Sequence, residues 1–348
     1  MPNSAPPRAP ARESTPFPGL NAVLAHLVEG AQTVLGEAFV GAYLQGSFAV
    51  GDADEMSDCD FMVVTARDLT ADEIATLDAL HAAIHDLPHE PWRHRLEGSY
   101  APAAVLRRLA AEPRDPPGEP RAADWTDPGM AGAPARRYPF VYLDHGAKRT
   151  VRSEHDNSQV VRWSLREKGV VLAGPDPRDL IDPVTPDMLR AEVRETMDLA
   201  LALNLEPMHM KAWQAFWVSL YCRMLHTLAT GAVWSKKAGP AWALAHLDRE
   251  WAPLIAAAQV IKEGDRAEAM KPADPADIAA TRAFARYAIE RADHDIRARE
   301  LIARRLAEKQ HAGHGPRAVG LGNIRSGGHA QSGYRPSPFK PNSRGKRG

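Results

Sequence analysis

Two aspartates separated by one residue form the most chemically informative pattern in the sequence. Asp58 and Asp60 lead into the apolar run FMVV, and side-chain alternation along a strand sets both carboxylates on one face. Because two negative charges at this spacing repel each other, a cation is expected between them. Mg²⁺ suits this position, since it binds one or two carboxylates together with phosphate oxygens and waters. The alternative is an acidic turn that leads into a strand.

A glycine and a serine follow an apolar run upstream of these aspartates. Gly46 lets the backbone approach a phosphate closely, amides at a helix start bind anions, and Ser47 adds a hydroxyl donor. The two motifs together predict a triphosphate that lies across a strand-to-helix turn and is bridged by metal to Asp58 and Asp60.

A third carboxylate is expected from the same chemistry, since a base that takes the proton helps the transfer of a phosphoryl or nucleotidyl group to a hydroxyl. Glu97 is the candidate because it interrupts an apolar, strand-like run, where an unpaired charge is costly. The alternative is an edge-strand glutamate that faces water.

The elements that must position these residues follow two patterns. The first half of the chain alternates strand-like and helical segments, and from about residue 185 the apolar period is helical throughout. This indicates an α+β domain with a mixed sheet, followed by an all-α helical bundle. Strands are predicted over 39–44, 60–65, 95–100 and 138–143, and helices over 71–86 and near 103–110.

The apolar stripe of one long helix in the second half is rich in aromatic residues. Its spacing predicts a buried core face, formed by Trp213, Phe216, Trp217, Leu220, Tyr221, Met224 and Leu228.

Composition shifts suggest the domain boundaries. We predict a disordered leader over 1–18, the α+β domain over 19–180, the helical domain over 181–307 and a disordered tail over 308–348. The Pro- and Gly-rich segment 112–135 is predicted to be a functional or mobile loop that acts as a lid.

Composition also excludes several functional classes. The 348 residues are 44% hydrophobic and 25% charged, which is typical of a globular protein, and the net charge of -1 does not favour nucleic acid or an anionic membrane as partner. Neither a signal peptide nor a membrane span is evident, so we expect a cytoplasmic monomer. The histidines at 81 and 85 have metal-ligand spacing but are interpreted as incidental residues of a surface helix, and Cys59 as a small buried hydrophobe.

The order Gly-Ser, spacer, Asp-x-Asp and later strand Glu resembles the polymerase-β-type nucleotidyltransferase superfamily. The chain looks most like the aminoglycoside (spectinomycin/streptomycin) adenylyltransferases, in which a nucleotidyltransferase domain precedes an all-helical domain. The segment 220–244 is similar to that family's helix, Thr-Gly turn, Lys and Trp-containing helix, and 169–177 to its strand and Gly-Pro turn.

This resemblance implies the transfer of AMP from ATP to a hydroxyl of a small molecule, with pyrophosphate as the leaving group. It implies two Mg²⁺ ions held by carboxylates, one of which also acts as base, and a set of residues that bind the triphosphate. The metal ligands would be Asp58, Asp60 and Glu97, the base Glu97, and the triphosphate ligands Gly46, Ser47, Arg223 and Lys236.

The chain departs from that family where the drug is bound. His209 and Trp213 stand near positions where carboxylates are expected, so streptomycin and spectinomycin are predicted to be poor acceptors. Two alternatives stay open. One is protein AMPylation of the antitoxin type, and the other is a catalytically silent nucleotide-binding protein, which the three carboxylates disfavour.

Overall fold

The computed structural model describes residues 14–55, 57–107, 138–204 and 210–312. The predicted lid, His209 and most of both predicted tails lie outside these residues. Residues up to Ala298 form one compact unit, and the chain from Arg299 forms a second. The domain boundary predicted near residue 180 falls within the first unit and stays a prediction.

Six strands form one mixed sheet with the order β5-β4-β3-β2-β1-β6. Only β2 and β3 pair in parallel; the other neighbours within this sheet are antiparallel. The four predicted strands are present, and β5 and β6 complete the sheet. The bounds are β1 Phe39–Leu44, β2 Cys59–Thr65, β3 Leu96–Pro102, β4 Phe140–Leu143, β5 Thr150–Ser153 and β6 Val170–Ala173.

The described residues contain twelve α-helices, and the second half of the chain is helical as predicted. The fold class is therefore confirmed. The bounds are α1 Pro18–Leu35, α2 Gly46–Val50, α3 Ala71–His85, α4 Ala103–Arg107, α5 Gln159–Lys168, α6 Pro177–Leu180, α7 Pro186–Asn204, α8 Lys211–Thr230, α9 Ala238–His246, α10 Ala252–Glu263, α11 Arg266–Ala269 and α12 Pro275–Ala312. None of these helices is long and apolar enough to cross a membrane.

Local sequence explains where the elements begin and how they pack. A capping box between Thr70 and Glu73 starts α3. One face of the sheet packs against α1 and α3 through an apolar cluster that includes Leu27, Phe61 and Leu77. The helices of the second half share their own core, in which the aromatic stripe of α8 is buried from Trp217 onward.

Several details differ from the sequence predictions. Trp213 and Phe216 are 46% and 41% exposed, because the first turns of α8 bury the neighbouring Gln214 and Ala215 on the core-facing side instead. His81 is 2% exposed, not a surface residue, because α3 packs that face on the sheet. Cys59 is buried, as expected.

The predicted leader ends earlier than residue 18. Thr15 is buried and donates its backbone N–H to the side chain of Asn21 at 3.0 Å. The Phe17 ring lies 4.8 Å from the ring of Trp92. These contacts make residues 15–17 part of the packed structure.

Candidate active site

The parallel pairing of β2 and β3 brings the predicted carboxylates together. In this register Asp60 lies opposite Glu97, and Asp58 immediately precedes β2. Ligand atoms of Asp58, Glu97 and His145 all lie within 4.8 Å of one another. We call Asp58, Asp60 and Glu97 with their neighbour Asp156 the acidic cluster.

Burial and mutual repulsion dominate the electrostatics of the acidic cluster. Burial, with the charge of Glu97, raises the pKa of Asp60 to about 7, although Lys236 opposes this rise. Burial also raises the pKa of Glu97, against the hydrogen bond from Tyr142. A cation placed among these groups would relieve the repulsion.

Asp58 differs from its neighbours because its pKa is lowered, whereas those of Asp60 and Glu97 are raised. Burial alone would raise its pKa, but the hydrogen bond and charge of His145 hold the pKa below its usual value. The His145 Nδ1 lies 2.9 Å from the Asp58 carboxylate. His145, which sequence reasoning missed, therefore stabilises the charged form of the Asp58 carboxylate.

Gly46 begins the short helix α2 directly after β1. Its φ is 58°, and a Cβ atom at this position would collide with the Asp60 carboxylate. The glycine is thus required by the approach of Asp60, a reason that the sequence did not suggest. The next residue, Ser47, is 4% exposed, and its hydroxyl has no hydrogen-bond partner among the described residues.

A cavity of about 240 Å³ opens beside the acidic cluster. It brings together the four predicted nucleotide-binding residues, which come from distant parts of the sequence, and it shares Asp60 and Asp156 with the acidic cluster. The lining residues are Gln45, Gly46, Ser47, Val50, Asp60, His155, Asp156, Val160, Val161, Ser164, Arg223, Val233, Trp234, Ser235 and Lys236.

Arg223 and Lys236 line this cavity, and Lys262 lies within electrostatic reach of both. Burial lowers the pKa of Arg223, only partly offset by the charges of Asp60 and Asp52, and its Nε has no hydrogen-bond partner in the described chain. Burial lowers the pKa of Lys262 on α10, and the charges of Lys236 and Arg223 lower it further. Cations close enough to repel one another favour a polyanionic ligand.

The structure also adds residues that sequence reasoning missed. The Ser99 hydroxyl donates to Asp156 at 2.7 Å, and the Tyr142 hydroxyl donates to Glu97 at 2.6 Å. The His155 ring stacks on Tyr142, with centroids 5.0 Å apart. Tyr142 lies in a predicted strand, but nothing in its spacing linked it to Glu97, because pairing between strands is not visible in a single sequence.

Of the two residues expected near the acceptor, only Trp213 is among the described residues. His209 lies outside the described residues, and Trp213 does not line the cavity. Their relation to the acceptor stays a prediction.

Comparison with known proteins agrees with this geometry. Residues 179–291 match the model of the family described as aminoglycoside adenylyltransferase, C-terminal domain. No curated protein matches the sequence.

Among solved structures, the fold is similar to spectinomycin adenyltransferase AAD(9) from Enterococcus faecialis, solved with ATP and spectinomycin. The TM-score is 0.53 at 12% sequence identity, over 77% of this chain and 98% of that one. At this identity the likeness establishes a shared fold, and the family match covers the helical part. The chain therefore resembles the aminoglycoside adenylyltransferases in its helical C-terminal part and shares the fold of one of these enzymes.

Proposed function

We propose that this enzyme catalyses Mg²⁺-dependent transfer of AMP from ATP to a hydroxyl group of a small molecule. One observation carries the proposal: the acidic cluster and the cavity with Arg223 and Lys236 share Asp60. Such an arrangement combines a site for cations with a site for a polyanion. A nucleoside triphosphate with its bound metal ions fits both sites, because the metal ions are cations and the triphosphate is a polyanion.

Unsatisfied polar groups support the triphosphate assignment. The Ser47 hydroxyl and the Arg223 Nε are buried without a hydrogen-bond partner among the described residues, and a buried polar group left unpaired is costly. Phosphate oxygens would supply the missing acceptors. Lys236 and the backbone at Gly46 complete this set, and ATP is the nucleotide found in the AAD(9) structure.

The carboxylates suit Mg²⁺ because they are oxygen donors, and burial, with the charges of neighbouring carboxylates, raises the pKa of Asp60 and Glu97. Asp58, Asp60 and Glu97 would hold the ions, two of them as the family resemblance implies. When bound, Mg²⁺ neutralises charge on the phosphates and polarises their P–O bonds.

Glu97 would act as the base. The acceptor hydroxyl gives its proton to the Glu97 carboxylate as its oxygen bonds to the α-phosphorus, and the bond from that phosphorus to the pyrophosphate oxygen breaks. The hydrogen bond from Tyr142 orients the carboxylate. The raised pKa of Glu97, caused by burial, makes it a stronger base than an exposed glutamate.

The test is pyrophosphate release from each nucleoside triphosphate with Mg²⁺, against a panel of aminocyclitols, aminoglycosides, nucleosides and proteins. We expect ATP to react with a small hydroxylated acceptor. Glu97→Gln should lower kcat by about 10²- to 10⁴-fold, the usual contribution of a general base. Glu29→Gln, exposed on α1, is the control.

Two results would refute the proposal. One is the absence of pyrophosphate release with every acceptor, and the other is unchanged turnover in Glu97→Gln. If a product forms only with protein acceptors, the proposal of a small-molecule acceptor is refuted.

A further inference from the structure

Four rings from α8, α9 and the segment between them form a continuous stack. Trp234 lies on His226 with centroids 4.8 Å apart, His226 on Trp242 at 5.3 Å, and Trp242 on His246 at 4.9 Å. The successive ring planes deviate by only 8°, 8° and 12°. We call this row the ring stack.

Trp234 is the end of the ring stack that reaches the cavity. His226 is 7% exposed and covers one face of the indole, whereas Trp234 itself is 42% exposed. The indole Nε1 also donates to the Thr230 hydroxyl at 2.8 Å. The ring is therefore held in one orientation before any ligand arrives, which reduces the entropy lost on binding.

The cavity wall around Trp234 has two chemical characters. Its lining combines the apolar Val50, Val160, Val161, Val233 and the indole with the polar Ser47, Arg223 and Lys236 and the acidic Asp60 and Asp156. Lys236 follows Trp234 by two residues. A ligand complementary to both the apolar and the basic side chains has a flat, weakly polar ring joined to a polyanion.

We infer that Trp234 is the stacking platform for the base of the nucleoside triphosphate. The inference rests on the proposed function and adds the subsite for the base. Stacking of a base on an aromatic side chain contributes about 1–3 kcal/mol and tolerates any base, because each has a π-face. A purine overlaps the indole more than a pyrimidine does, so purine nucleotides should bind more tightly.

The experiment compares ATP with inorganic tripolyphosphate, which lacks the base, by calorimetric titration of the full chain. Three variants are used: Trp234→Ala, Trp234→Phe and, as matched control, Trp213→Ala. Trp213 is 46% exposed, close to the 42% of Trp234, but does not line the cavity. Melting temperatures confirm that each variant is folded.

Trp234→Ala should weaken ATP binding by about 5- to 150-fold, the equivalent of one lost stack, and leave tripolyphosphate binding unchanged. Trp234→Phe should retain ATP affinity within about threefold, since a phenyl ring also stacks. Trp213→Ala should match the wild type.

Two outcomes would overturn the inference while the proposed function stands. One is unchanged ATP affinity in Trp234→Ala, and the other is an equal loss of ATP and tripolyphosphate affinity, which would place Trp234 with the phosphates. If the wild type binds neither ligand, the proposed function and this inference both fail.

Discussion

His81 shows how one side chain supports the strands that carry the carboxylates. Its Nε2 lies 2.9 Å from the hydroxyl of Tyr100 on β3, and its ring stacks on Phe61 of β2 with centroids 6.0 Å apart. Burial lowers the pKa of this imidazole to about 4. The residue is thus a neutral core group, although its spacing to His85 resembles a metal motif.

This burial predicts a loss of stability in mild acid. Above pH 6.5 both folded and unfolded chains hold His81 neutral; below it the unfolded chain binds a proton that the folded chain resists until about pH 4. Between pH 7.5 and 5.0 the free energy of unfolding should fall by roughly 2 kcal/mol through this group alone.

Urea titrations at the two pH values measure this effect. His81→Gln should lose about 2 kcal/mol less than the wild type over this interval. His26→Gln, exposed on α1, should behave as the wild type does. An identical loss in His81→Gln and wild type would show that the buried imidazole does not set the acid sensitivity.

At the scale of elements, the parallel pair β2 and β3 positions the acidic cluster. Gly98 follows Glu97 on β3 and faces Phe61 on β2, where a Cβ atom would collide with the Phe61 carbonyl. Any side chain at 98 must therefore push the two strands apart. The register that sets Asp60 opposite Glu97 depends on this glycine.

Gly98→Ala should lower the free energy of unfolding by about 1–3 kcal/mol, the usual cost of overpacking, and lower kcat as the carboxylates separate. Thermal melts and pyrophosphate release measure the two effects. Gly36→Ala is the control. Gly36 has a φ of 51° but open space around it, so Gly36→Ala should lower the free energy of unfolding by roughly 1 kcal/mol without lowering kcat. Full activity in Gly98→Ala would contradict this role.

At the scale of the whole molecule, we expect the residues just before α1 to stabilise the folded protein. Thr15 and Phe17 precede α1 and pack against Asn21 and Trp92. A chain that begins at Gly19 loses these contacts, whereas one that begins at Ser14 keeps them.

With both chains ended at 312, we expect the shorter one to be less stable by about 1–3 kcal/mol and to melt several degrees lower. Differential scanning calorimetry of the two chains measures the difference between their melting temperatures. Equal melting temperatures would mean that the contacts of residues 14–18 contribute nothing to stability.

Much of the fold was predictable because its signals are local. The apolar run 39–44 is β1 to the residue, Asp60 and Glu97 stand on β2 and β3, and Asp58 immediately precedes β2. The partners of these residues were not predictable. His145 and Tyr142 reach the acidic cluster because β4 pairs with β3. The periodic stripe of α8 did not show that Trp213 lies outside the buried face, which includes Gln214 and Ala215.

The central claim is that the acidic cluster and the adjoining cavity form one site for nucleotidyl transfer, joined at Asp60. Pyrophosphate release at saturating Mg²⁺ and ATP, compared between wild type and Asp60→Asn, tests it most directly. Asp72→Asn, exposed on α3, serves as the control. We predict that Asp60→Asn loses turnover while its melting temperature is retained, since removing one charge from a repelling group opens no cavity. Equal turnover in Asp60→Asn and wild type would contradict the claim.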